Sequence, residues 1–251
     1  MSISESSYSH NSTNASYNAV LEQIYKSAHA SGRLYEHITL VVVTKNQPLS
    51  AIQTLYDLGH REFGENRIEE ALSKIPCMTT YSQPFCEDIT WHMIGHLQSR
   101  KAHTAVKLFD HLHSIDTIKL APRLSRFAVE ENQTTSILLQ CNISGESTKF
   151  GFPVNNAGLD TIQWSELVKS ISIISALPNL TITGLMTMAP IVSNPENSRP
   201  VFRELRFLSE QIAHRFPDLS ISQLSMGMSN DYAVAIQEGA TMVRVGALIF
   251  G

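Results

Sequence analysis

The sequence predicts an α/β protein built as a single (β/α)8 TIM barrel, and three observations carry that prediction. Short β-branched runs alternate with longer amphipathic segments, and the unit recurs through the whole chain. No Pro- or Ser-rich linker interrupts the alternation, and the 251 residues match the roughly 250 that such barrels take. With 43% hydrophobic and only 17% charged residues, the chain has enough apolar content for one large core and too little charge to stay disordered. An open doubly wound sheet is the other architecture for such a pattern, and eight consecutive units without a break favour closure.

Residues 1–15 make a polar, flexible lead, and residues 16–251 form the barrel domain. Ala19, Val20, Ile24, Ala28 and Ala30 recur at roughly helical spacing until Gly32, which predicts an extra amphipathic N-terminal helix. ITLVVVT (38–44) is a strand buried on both faces, and Pro48 to Leu58 is the helix after it, ended by Gly59. The second unit pairs a strand over Arg61–Phe63 with a helix over Arg67–Lys74, and the third a strand over Ile89–Ile94 with a helix over Gln98–Leu108. His111–Ile115 and Thr117–Glu130 form the fourth, and Thr135–Ile143 and Asp160–Ala176 the fifth. The sixth takes Leu180–Met188 and a helix over Asn197–Arg215 that Pro217 closes; the seventh takes Ile221–Ser225 and Asp231–Glu238. Thr241–Val245 is the eighth strand, and no helix is predicted after it. The N-terminal helix is expected to cover part of the surface that an eighth helix would have covered.

Net charge is −4, from 19 Lys+Arg against 23 Asp+Glu, so no general attraction to nucleic acid or anionic lipid is expected. Arg100, Lys101 and Lys107 read as a solvated helix face. The longest strand-like run, Ile38 to Val43, is far short of the 18 or so apolar residues of a membrane span. The amino terminus lacks the basic-then-apolar order of a signal peptide, so a cytoplasmic protein without membrane or nucleic-acid partners is expected. Cys77, Cys86 and Cys141 have no CxxC spacing and read as reduced thiols, neither a disulfide framework nor a zinc site.

In a barrel of this kind the active site lies at the carboxyl ends of the strands, and a phosphate is often held by the loops after strands seven and eight. LSMGMSND (224–231) places the small residues Ser225, Gly227 and Ser229 just before a helix, with Ser229 as its N-cap. Glycine lets backbone approach a ligand, and free N–H groups at a helix start attract an anion. Gly246, after strand eight, completes a phosphate site across two loops; an ordinary Gly/Ser turn is the alternative. Lys45 shares a strand face with Val41 and Val43, so its amine is expected to be buried at the mouth of an apolar barrel. Burial would lower its pKa and make it nucleophilic toward an aldehyde or ketone. A lysine that snorkels to solvent is the alternative. Arg244 shares a face with Met242, and a guanidinium there needs a carboxylate, phosphate or ring-nitrogen partner; an ion pair with Glu65 is the structural alternative. Together these parts meet the requirements of pyridoxal 5′-phosphate, with the aldehyde on Lys45, the phosphate on the two loops and the ring nitrogen facing Arg244. They would equally serve a class I aldolase acting on a sugar phosphate, and spacing alone does not separate the two.

TKNQP (44–48), REFGENRIEEA (61–71), WHMIGHLQSRK (91–101), GLMTMAP (184–190) and LSMGMSNDYAVAIQEGATMVRVGALIFG (224–251) resemble, in the same order, the pyridoxal phosphate homeostasis proteins, or YggS family. The resemblance implies a fold-type III cofactor barrel like the N-terminal barrel of alanine racemase, without the second, C-terminal β-domain. By matching positions it implies that Lys45 carries the cofactor as a covalent aldimine and that Asn66 lies in the pocket. It further implies that Ser225, Gly227, Ser229 and Gly246 hold the phosphate and that Arg244 lies near the pyridine nitrogen. The implied role is a carrier or buffer in intracellular pyridoxal phosphate homeostasis, without established catalysis, with pyridoxal-phosphate-dependent apo-enzymes as recipients and a monomeric state. The sequence departs from the family pattern where Asn46 replaces Thr or Lys, where Ala247 replaces Thr or Ser beside the phosphate, and where the Ala-Arg-x-Tyr continuation after IFG is absent.

Two physical arguments weigh against the rival reading, a low-activity amino-acid racemase or other fold-type III enzyme. A permanent cation at the ring nitrogen disfavours the pyridinium and weakens the cofactor as an electron sink. Two-base racemisation also needs an acid/base opposite Lys45, which the β-domain supplies in true alanine racemases. His92 and His96 are the nearest candidates and read as satisfied or solvent-facing, while His111-x-His113 lacks a third ligand for a metal. Lys149, in ESTKFGF, is a further amine that could touch free cofactor in transit, a solvated loop lysine being the simpler reading.

Overall fold

The computed structural model describes residues 4–80, 88–155 and 161–251. The strands are β1 (Thr39–Val43), β2 (Glu62–Glu65), β3 (Thr90–Met93), β4 (His111–Ile115), β5 (Thr135–Asn142), β6 (Leu180–Met186), β7 (Gln223–Met228) and β8 (Met242–Val245). Each is parallel to the next, and β8 pairs back to β1, with Val41 opposite Arg244, so the sheet closes. The helices are α1 (Ser4–Ala30), α2 (Leu49–Asp57), α3 (Ile68–Thr80), α4 (Ala102–Leu108), α5 (Ala121–Glu130), α6 (Thr161–Ser175), α7 (Arg199–Arg215), α8 (Tyr232–Gln237) and α9 (Ala247–Phe250).

Strand alternation sorts the side chains into two compartments. Leu40, Val42, Phe63, Trp91, Leu112 and Val243 point outward into the main apolar core, against helix residues such as Ile52, Leu55, Leu124, Ile171 and Phe202. Val41, Leu138, Met186 and Met242 are buried yet stand apart from that core, on the inward face, together with polar side chains including His92, His113, Ser225 and Arg244. The barrel interior is thus unusually polar for a space that aliphatic layers commonly fill.

Four features differ from the sequence expectations. The polar lead is helical: α1 begins at Ser4, because residues 4–18 contain neither Gly nor Pro and the weak propensities of Ser and Asn do not stop a helix. A single helical turn, α9, follows β8, and α1 packs against both α8 and α9, covering the surface expected of it. Strand β7 lies later than the lone β-branched Ile221 suggested, so that SMGM belongs to the strand rather than to the loop after it. A two-residue strand, Phe152–Pro153, also pairs beside the end of β5. Cys141 is a free, buried thiol whose pKa burial raises to about 12; the side chains of Cys77 and Cys86 lie outside the described residues. Among the described residues no helix is long and apolar enough to cross a membrane.

Candidate functional site

The carboxyl ends of the strands surround a cavity of about 220 Å³ lined by Val43, Lys45, Asn66, Ile94, Gly95, His96, Gln140, Phe150, Met188, Met228, Ser229, Arg244, Gly246 and Ala247. Five of the seven residues expected at the site therefore meet: Lys45, Asn66, Ser229, Arg244 and Gly246. Drug-sized ligands occupy roughly 300–1,000 Å³, so this volume suits a smaller molecule. A second cavity of about 300 Å³, beside Phe152 and α6, contains none of them.

Lys45 extends the inward face of Val41 and Val43, as alternation requires, but it is not buried. Strand β1 ends at Val43, the chain turns at Lys45 and Asn46, and the Lys45 side chain stands exposed at the cavity rim. The expectation of an amine activated by desolvation is overturned; position, not burial, qualifies Lys45. The turn itself is held rigidly. Asn46 adopts the left-handed φ of 59°, which Asn tolerates better than β-branched residues, and its N–H donates to Glu70 Oε2 at 2.8 Å. The buried Lys74 ammonium donates to the Thr44 carbonyl at 2.7 Å and pairs with Glu65 at 2.8 Å and Glu70 at 3.3 Å. Thr44 Oγ1 donates to the same Glu65 oxygen at 2.6 Å. Burial pushes the Glu65 carboxyl upward, and the Lys74 and Thr44 hydrogen bonds only partly offset it. Glu65 is thus the partner of Lys74, which removes it as a partner for Arg244.

Arg244 is 4% exposed, with Nη1 donating to Ser225 Oγ at 2.5 Å and Nη2 to the Thr187 carbonyl at 2.9 Å. Burial pushes its pKa down to about 10, with Asp231 acting in the opposite direction, so the guanidinium stays charged at neutral pH without a carboxylate in direct contact among the described residues. A buried cation held by neutral oxygens at a cavity wall is poised for an electron-rich ligand atom.

Ser225 and Gly227 lie behind the cavity wall, because β7 extends through Met228. Ser225 is fully buried and serves Arg244 and His113, and Gly227 sits at a register shift between β7 and β8 with φ of 90°. A Cβ on Gly227 would lie 2.6 Å from Ala235 Cβ and 2.8 Å from Tyr232 Cα, so this glycine lets α8 pack onto the strand. Ser229 does not cap α8: Asp231 occupies the N-cap position and its carboxylate accepts the Met228 N–H at 2.7 Å. Ser229 Oγ instead accepts the Gly246 N–H at 3.4 Å, bridging the two loops. Gly246 is required by β1, since a Cβ there would approach the Val43 carbonyl to 2.7 Å.

His92 is fully buried between Glu62 and His113, away from the cavity, whereas His96 lines it, 2.9 Å from Asp116 and stacked on Phe150 with centroids 4.0 Å apart. Gln140, whose Nε2 donates to the Phe150 carbonyl at 3.0 Å, and the apolar residues Ile94, Met188 and Met228 also line the site and carry no local sequence signal. Strand alternation beyond Trp91 and Leu138 was the available clue for Ile94 and Gln140. Lys149 lies at a neighbouring rim, with Nζ 3.2 Å from the Met188 carbonyl and an ion pair to Glu146.

Residues 26–251 match the family model of the alanine racemase N-terminal domain. The chain is 35% identical over 232 residues to the pyridoxal phosphate homeostasis protein of Aquifex aeolicus, covering 92% of this chain and 94% of the relative. It is 39% identical over 214 residues to that of Synechocystis, covering 85% and 91%. The solved structure of PipY from Synechococcus elongatus with pyridoxal phosphate bound superposes with a TM-score of 0.75 at 34% identity, covering 91% of this chain and all of the other (100%). Alanine racemase from Clostridium difficile shares the fold alone, at a TM-score of 0.66 and 14% identity, and this chain covers 59% of its length. On these identities, across nearly the full length of both partners, the chain belongs to the family of pyridoxal phosphate homeostasis proteins.

Proposed function

We propose that this protein binds pyridoxal phosphate at the barrel mouth and acts in its homeostasis as a holder and donor of the cofactor. The observation that carries the reading is the convergence of Lys45, Arg244, Ser229 and Gly246 on one small cavity whose other walls are largely apolar. The bound cofactor in PipY supports it.

The donor set fits the group. When bound, pyridoxal phosphate supplies an aldehyde that condenses with a primary amine, losing water, and a pyridine ring able to accept electrons. Lys45 provides the amine on a turn anchored from both sides by Glu70, Lys74 and Glu65. Val43, Ile94, Met188 and Met228 line the cavity and would exclude water from the faces of a bound ring. Arg244 would supply a fixed cation at the cavity wall and would disfavour a second positive charge on a ring nitrogen bound beside it. Ser229 and Gly246, whose mutual contact is a long 3.4 Å, would offer a hydroxyl and an N–H to a phosphate group. Ala247 adds no hydroxyl at that position. Ser225 and Gly227 act from behind, by holding Arg244 and by seating α8.

Purified protein mixed with pyridoxal phosphate should turn yellow, absorbing at roughly 420 nm, and borohydride should fix one cofactor on Lys45. A Lys45→Ala protein should stay colourless. A wild-type protein that no added pyridoxal phosphate can tint would overturn the reading. Transfer to apo-enzymes is tested by mixing loaded protein with an apo-aminotransferase and following recovered activity.

One observation favours a second reading, a slow racemase: His96, backed by Asp116, shares the cavity with Lys45. Incubation with L-amino acids in heavy water separates the two. Exchange of the α-proton at turnover rates, abolished in both Lys45→Ala and His96→Ala, would establish the enzyme; its absence supports the holder.

A further inference from the structure

A file of polar side chains from five strands runs along the inside of the barrel. Glu62 Oε2 lies 2.6 Å from His92 Nε2, and His92 Nδ1 lies 2.9 Å from His113 Nε2. His113 Nδ1 lies 2.9 Å from Ser225 Oγ, which is 2.5 Å from Arg244 Nη1. The four members after Glu62 are buried, and only Glu62, whose side chain is 35% exposed at the amino end of β2, reaches solvent.

Elementary donor counting orients the whole file. Arg244 has donors only, so Ser225 Oγ accepts from it and sends its own proton to His113 Nδ1. His113 then carries its proton on Nε2 and donates to His92 Nδ1, and His92 in turn donates from Nε2 to the Glu62 carboxylate. The reverse order, which an imidazolium at His92 would permit, leaves the Ser225 hydroxyl proton without an acceptor among the described residues. Leaving such a buried hydroxyl unsatisfied is costly. Burial first, then the neighbouring His92 ring and the Arg244 guanidinium, hold His113 well below the usual histidine range, in keeping with a neutral ring. His111 stacks on His92 at 4.9 Å without joining the file.

We infer that Glu62, on the opposite end of the barrel from the cavity, is a positioning residue for the cofactor ring: through His92, His113 and Ser225 it fixes the direction in which Arg244 points. The inference rests on the cofactor reading above. An arginine at the head rules out proton conduction to the ring, since a guanidinium has no lone pair with which to pass a proton on. What the file transmits is orientation and partial charge.

Two measurements test it. In full-length protein labelled with 15N-histidine and free of cofactor, long-range 1H–15N spectra read the tautomers; His92 and His113 should both be neutral with the proton on Nε2. A His113 protonated on Nδ1, or a cationic His92, overturns the proposal. In parallel, loaded Glu62→Ala protein should release pyridoxal phosphate about tenfold faster and show a displaced absorbance maximum, since a charged acceptor at the end of the file is lost. Glu62→Gln keeps an acceptor oxygen for His92 and should stay within about twofold of wild type. Unchanged release and spectrum in Glu62→Ala overturn this role alone, whereas a wild-type protein that takes up no cofactor overturns the cofactor reading and the role together. If Glu62→Ala does not fold, the wild-type histidine spectrum decides.

Discussion

Individual buried polar residues control this molecule at both ends of its barrel. His60 accepts from the Tyr17 hydroxyl on Nδ1 at 3.1 Å and donates from Nε2 to the Glu62 carbonyl at 2.8 Å, an arrangement that only the neutral ring satisfies. Burial is the first cause that lowers its pKa from 6.5 to about 4. A depressed histidine pKa contributes stability that is present above the unfolded value and is lost as pH falls through the folded one. Between pH 7 and pH 5 wild type should therefore lose on the order of 2 kcal/mol more stability than His60→Gln, read from urea melts at the two pH values. At the other end, Ser225→Ala leaves buried donors on Arg244 and an unmatched nitrogen on His113. It should cost about 1–3 kcal/mol in the same melts and weaken cofactor retention, although Ser225 does not line the cavity. If cofactor retention in Ser225→Ala matched wild type, the link from Ser225 through Arg244 to the ring would be wrong.

At the scale of elements, α1 and the β7–α8 junction do the most to complete the barrel. Helix α1 buries Tyr17, Val20, Ile24 and Ala28 and lies against α8 and α9. Arg33, just after it, donates to the Ile236 and Ala240 carbonyls at 2.8 and 2.7 Å, tying the chain to the end of α8. Removing residues 1–32 strips apolar cover worth roughly 1.5–3 kcal/mol for each large side chain, so the truncated protein should melt many degrees lower or fail to fold. An unchanged denaturant midpoint would refute the covering role. Gly227→Ala forces a Cβ into α8 and into a left-handed φ; a loss of about 2–4 kcal/mol is expected, with lower cofactor affinity because Ser229 and Asp231 move with the junction. Calorimetry and cofactor titration of the variant check both parts.

For the whole molecule, the closed parallel sheet brings residues from every unit but the fourth to one cavity. A ligand bound there engages elements distant in sequence and stabilises the entire barrel rather than one loop. Pyridoxal phosphate at about a hundred times its dissociation constant should add about 2.7 kcal/mol to unfolding stability, raising Tm in wild type and not in Lys45→Ala.

The order of strands, the barrel and the family were legible in the sequence, because β-branched runs, helical spacing and blocks such as FGEN and LSMGMS are local signals. They also located Lys45, Asn66, Ser229, Arg244 and Gly246 at strand ends, where the closed sheet assembles them. Tertiary structure alone decided exposure and pairing. It placed Lys45 at the rim rather than in the interior, gave Glu65 to Lys74, put Ser225 and Gly227 behind the wall, and carried β7 through Met228, where a glycine-methionine run has no β-branched signal. It also joined Glu62, His92, His113, Ser225 and Arg244 across five strands. Periodicity reports which face a side chain takes; which distant partner meets it there depends on the closure and register of the sheet, and neither is written in any local stretch of sequence.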